Sequence, residues 1–176
     1  MTDTRIPFAP NRAPNRDVVG LEPSNKIHHM DGNMHTKSSN KLTHEGAKAI
    51  SDAGAKKASE MNLPICIAVV DEGGHLLAFA RIDDCKPSSV DVSITKAVAA
   101  ATRRSPSGPV PNADNANIVL SVGLVLASHG TLTCVRGGLP IEWQGSVIGA
   151  IGVSGGTEAQ DEEVARAGLT ALANFK

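Results

Sequence analysis

His75 follows the pair Gly73-Gly74 and opens an apolar run, so its ring could be a general base, a ligand or a solvent-facing filler. Arg81 and Arg136 each sit in a strand-like run. A guanidinium fork suits bidentate recognition of a carboxylate, while the plainer role is a salt bridge to Asp83, Asp84 or Glu142. Lys96 lies within "ITKAVAAA", an otherwise small and apolar helix face. A lysine there needs a partner or a water-filled pocket, and it is a candidate for a shifted pKa.

A second group comes from "GAIGVSGGTEAQDEE", residues 149–163. Gly155 and Gly156 permit a sharp strand-to-helix turn that leaves backbone N–H groups beside Ser154 and Thr157, a setting for a carboxylate or phosphate. Asp161, Glu162 and Glu163 compete for this role, since they complement the same end of the helix dipole. Nucleotide loops are excluded. The chain after Gly156 is too short for a second βαβ unit, and no lysine follows until Lys176.

Suppose the hairpin carrying His75 and the helix start near Thr157 border one hollow. The set then fits an enzyme acting on a small acidic, unsaturated metabolite by proton transfer or water addition. His75, Lys96 and Arg81 would be catalytic; Arg136, Ser154, Gly155 and Thr157 would bind substrate. The rival is a binding module for a small molecule.

The elements that must position these groups are legible. Ala47, Ile50, Gly54, Ala58 and Met61 recur near a 3.6 period, predicting a helix from about Thr43 to Glu60 that Pro64 ends. "PICIAVVDEGGHLLAFARID" predicts a hairpin with strands 65–70 and 75–82 around a turn at 71–74. "PSSVDVSITKAVAAATRR" is helical, with Pro87 near its first turn. "NANIVLSVGLVLASHG" follows a loop and reads as a short helix. "TLTCVRGGLPIEWQGSVIGAIGVSG" predicts three short strands, with turns at Gly137-Gly138 and Gln144-Gly145. Thr157 and Gln160 form the capping box of a last helix. The sum is an α+β domain over 43–176, with a five-stranded, mainly antiparallel sheet flanked by helices. Residues 1–42 are broken by Pro7, Pro10, Pro14 and Pro23 and lack periodicity. They predict an extended arm, flexible or laid on a neighbouring subunit.

Composition narrows the function. A net charge of −1 and 2% aromatic residues offer nucleic acid neither an attracting field nor a stacking platform. No run approaches the ~18 apolar residues of a membrane span. The N-terminus has no apolar signal segment, which points to the cytoplasm. Cys66, Cys85 and Cys134 lack metal-type spacing and read as free thiols, with Cys85 the exposed one. His28, His29 and His35 read as solvated, so no metal site is expected.

"IAVVDEGGHLLAFARID", "ITKAVAAA", "GGLPIEWQGSVIGAIGVSGG" and "QDEEVA" together resemble the GlcG/HbpS-like family, which also supplies the C-terminal domain of PduO-type proteins. The resemblance spans about residues 43–175. It implies the five-stranded antiparallel sheet and assembly into dimers, tetramers or octamers. Its members are linked to haem binding, to corrinoid and glycolate utilisation, and to aromatic degradation, where the resemblance implies an enzymatic role on muconate-like acids. It therefore implies haem or a related tetrapyrrole as a possible cofactor, and no other. His44 lies in the region where haem-binding relatives offer an axial histidine; its plainer role is a surface helix residue.

Overall fold

The computed structural model describes His35 and residues 38–175. His28, His29 and nearly all of the expected arm lie outside the described residues. A compact unit begins at Ser38, and Leu42 belongs to its core.

Thr43 caps α1 (His44–Glu60) by accepting from the Gly46 amide. β1 (Cys66–Asp71) and β2 (Leu76–Arg81) form the hairpin, and α2 (Ser89–Arg103) follows. α3 (Ile118–Ala127) precedes β3 (Gly138–Trp143) and β4 (Ser146–Ser154). α4 (Glu158–Leu169) starts at Thr157 with the expected capping box and runs into a short 3₁₀ turn at Thr170–Asn174. The strands lie in the order β2-β1-β4-β3, antiparallel throughout.

The side-chain alternation of β1 builds two layers. Ile67 and Val69 join Ile141, Ile151 and Val153 under α1 and α4, while Ala68 and Val70 join Ala150 under α2. α2 lies almost on the strand backbones. A Cβ at Gly152 would stand 2.1 Å from the Ser93 carbonyl oxygen, and one at Gly138 would stand 2.3 Å from that of Lys96. These glycines therefore serve close helix–sheet approach, not a bound phosphate.

The sheet has four strands among the described residues, not five. The run 131–136, expected as a strand, is irregular. The reason lies at the open edge of β3. Ser107 N donates to Gly138 O, the Gly138 amide donates to Ser107 Oγ, and that hydroxyl donates to Val135 O. One serine takes both bonds that Gly138 would offer a further strand.

Candidate functional site

Strand register decides whether the predicted site closes. Cys66 pairs with Ser154 at one end of β1, and Asp71 pairs with Gly149 at the other. Five steps of an antiparallel strand separate these ends by roughly 17 Å. His75 sits beside Asp71, whereas Gly155 follows Ser154. The common hollow expected for His75 and the Gly155 amides is therefore not formed within one chain. The predicted residues divide between the two ends.

Arg81, Lys96, Arg136, Ser154, Gly155 and Thr157 gather at the Cys66 end, where most find partners in their own chain. Lys96, 2% exposed, donates to Asp161 Oδ2 at 2.7 Å and to Val153 O at 2.8 Å. This is a sealed ion pair rather than a base open to substrate. Asp161 Oδ1 takes the Gly156 amide at 3.0 Å, and Gln160 Oε1 takes that of Thr157 at 2.9 Å. The turn amides that looked free for an anion, those of Gly156 and Thr157, are thus taken by side chains of α4. Arg136 makes a fork on Glu162, from Nε at 2.9 Å and Nη2 at 2.8 Å, which raises the guanidinium's pKa. Its partner is not Glu142. Arg81 donates through Nη2 to the Cys85 carbonyl at 2.8 Å. Ser154 is buried, and Gly155, at φ 142°, lies against Pro64 and Ile65.

Cys85 is buried, contrary to expectation, and Cys134 is the half-exposed thiol. The turn after β2 folds Cys85 inward until its Sγ lies 3.2 Å from that of Cys66. Burial, and next the contact with Cys85, push the Cys66 thiol up to about 12.

At the Asp71 end the polar groups are only half satisfied. Asp71 Oδ1 accepts the amides of Gly73 at 2.9 Å and His75 at 2.8 Å, closing the Gly-Gly turn. His75 Nδ1 stands 3.2 Å from both carboxylate oxygens. Burial pushes the Asp71 carboxyl up, but the amides and ring of His75 with the Gly73 amide outweigh it, holding the group below the usual carboxylate range. A carboxylate only accepts, so Nδ1 carries a proton, and in the neutral ring Nε2 is the nitrogen with the lone pair. The His75 side chain is 82% exposed.

His44 repeats this arrangement. A bulge in β2 pairs Val70 with Leu76 and Val69 with Ala78, leaving Leu77 unpaired. The Leu77 carbonyl lies 3.0 Å from His44 Nδ1. A carbonyl also only accepts, so the exposed ring of His44 presents Nε2 as an acceptor or metal ligand. Its neighbours Thr43 and Glu45 line a cavity of about 500 Å³ that also holds Leu42, Trp143, Ile148 and Phe175. The two rings lie 5.9 Å apart at 52°. Sequence reasoning missed the bulge at Leu77 and the pairing of Asp71 with His75, although Asp-x-Gly-Gly-His carries the signal of a side-chain-closed turn. Among the described residues no cluster of three metal-ligating side chains occurs.

This is an α+β structure, one antiparallel sheet between helices, with imidazoles at its hairpin end and a glycine-lined helix–sheet contact at the other. Residues 42–170 match the family described as haem degrading protein HbpS-like, and the chain belongs to that family. It is 41% identical over 114 residues to Escherichia coli GlcG, covering 64% of this chain and 81% of GlcG. The crystal structure of Klebsiella pneumoniae ORFY superposes with a TM-score of 0.73 at 30% identity, over 82% of this chain and all of ORFY. A double mutant of Streptomyces reticuli HbpS gives 0.66 at 26% identity, over 81% of this chain and 94% of that one.

Proposed function

We propose that this chain is a small-molecule-binding protein whose ligand is haem or a related metallated tetrapyrrole, held at the hairpin end of the sheet with His44 Nε2 on the metal. The bond between His44 Nδ1 and the Leu77 carbonyl carries the reading. A metal-ligating histidine characteristically gives its other N–H to a carbonyl or carboxylate, which fixes the ring and raises its basicity. The donor set therefore fits the group. The cavity holding Trp143 and Phe175 opens beside the same helix start and offers apolar wall. Family membership supports the ligand class, since the family is described by haem chemistry and HbpS is among the similar structures. Nothing in the family match or the geometry supports the muconate-like enzyme: the cations that would hold carboxylates are engaged within the chain, away from His75.

Haemin titration of the full chain, followed by the Soret band, tests this. The expected result is a shifted band saturating at one haemin per chain, with affinity lowered on the order of 100-fold in His44→Ala and little changed in His75→Ala. Absence of a shift at stoichiometric haemin would remove the ligand. A shift kept by His44→Ala and lost by His75→Ala would move the axial bond to the hairpin.

A further inference from the structure

Cys66 and Cys85 stand nineteen residues apart in the sequence, and the fold brings their sulfur atoms to 3.2 Å. They need to close by only about 1 Å to reach bonding distance. The two are buried in different ways. Cys66 is fully enclosed on β1, paired with Arg81 on one side and Ser154 on the other. Cys85 is the buried residue of the turn 83–88, in which Asp83, Asp84, Lys86, Pro87 and Ser88 are all exposed. Asp84 takes a left-handed φ of 64°. The Cys85 amide donates to Ile82 O at 3.1 Å, and Arg81 Nη2 holds the Cys85 carbonyl. A cover this thin can open without unfolding the sheet.

We propose that Cys66 and Cys85 form a peroxide-reactive thiol pair that closes reversibly into a disulfide, with Cys85 as the attacking thiol and Cys66 as the resolving one. This inference goes beyond the ligand reading and does not depend on it, since the pair lies at the end of the sheet away from His75.

The oxidant is a small hydroperoxide, written here as hydrogen peroxide. Cys85 Sγ attacks one peroxide oxygen: the S–O bond forms, the O–O bond breaks, and the departing hydroxide takes the thiol proton and leaves as water. Cys66 Sγ then attacks the Cys85 sulfur. The S–S bond forms, the S–O bond breaks, and the hydroxyl leaves with the Cys66 proton as a second water. Two thiols are oxidised to one disulfide, and one peroxide is reduced to two waters. Burial sets the order. Cys66 is enclosed and its thiol is held protonated, so it does not meet the peroxide first, but it lies in place to resolve the sulfenic acid. Cys85, 2% exposed, admits a molecule the size of hydrogen peroxide more readily than a peptide disulfide.

The test is to treat the reduced full chain with hydrogen peroxide at neutral pH without denaturant, alkylate the remaining thiols and map the peptides by mass spectrometry. The expected product is a Cys66–Cys85 link that dithiothreitol reopens, with the half-exposed Cys134 outside it. In Cys66→Ser, Cys85 should stop at a sulfenic acid that dimedone traps. In Cys85→Ser, oxidation of Cys66 should slow on the order of 10-fold or more. Oxidised glutathione at the same concentration should close the wild-type pair more slowly than the peroxide does. No Cys66–Cys85 link in the wild type, a link through Cys134 in its place, undiminished oxidation of Cys66 in Cys85→Ser, or faster closure by oxidised glutathione would each overturn the inference.

Discussion

The two ends of this sheet hold similar polar side chains under opposite conditions. At the Cys66 end, the Lys96 ammonium, the Asp161 carboxylate, the Arg136 guanidinium and the Gly156 amide find partners in their own chain, and the central pair is shut away from water. At the Asp71 end, each imidazole has one nitrogen held and one without a partner among the described residues. A saturated group contributes to folding and is spent there; a half-satisfied one on a rigid element remains available to a ligand. The proposed ligand site rests on this difference, since it lies at the end that holds histidines rather than cations.

The sharpest way to break this contrast is Lys96→Met. Removing one member of a buried pair leaves Asp161 charged, unpaired and 3% exposed, and should cost about 3–5 kcal/mol by urea denaturation. Lys96→Met/Asp161→Leu should recover part of that loss, since it abolishes the stranded charge, though not the bond to the Gly156 amide. A loss under ~1 kcal/mol in the single variant would show that the site is wetter and more open than the geometry makes it.

Next in size is Gly152→Ala. The added methyl would stand 2.1 Å from the Ser93 oxygen and 2.4 Å from the Ala97 nitrogen, so α2 must lift, at about 1–3 kcal/mol. Gly145→Ala gives the comparison: nothing lies within 4 Å of its added Cβ, and only the left-handed φ of 75° costs, about 1 kcal/mol. Equal losses at both positions would mean that backbone conformation, not helix–sheet approach, explains the glycine-rich strand.

These cases show what could be read in the sequence. Local patterns gave the hairpin, α1, α2, α3 and the capping box of α4, because each depends on neighbours in the chain. The fifth strand failed because Ser107, thirty-odd residues away from the edge it satisfies, has no local signature. The hollow expected between His75 and Gly155 is not formed within one chain for the same reason at larger scale. "ITKAVAAA" shows that Lys96 needs a partner, but only the fold brings it to Asp161, and only the register separates His75 from Gly155. His44 entered through resemblance; the feature that suits it for a metal, the freed Leu77 carbonyl, arises from a bulge that no spacing announces.

The smallest effect expected is also the most specific to the hairpin end. Asp71→Asn keeps an acceptor for the Gly73 and His75 amides and removes only the charge, so the loss at pH 7 should be about 1 kcal/mol. Because the folded carboxyl titrates below its unfolded value, its charge contributes stability in full above the ordinary carboxylate range. That contribution is lost as pH falls through the folded value. The gap in urea midpoint between wild type and Asp71→Asn should therefore close on acidification from pH 7 to about pH 2. A gap that stayed constant would mean that shape rather than charge holds the turn, and His75 Nδ1 would then be fixed by packing alone.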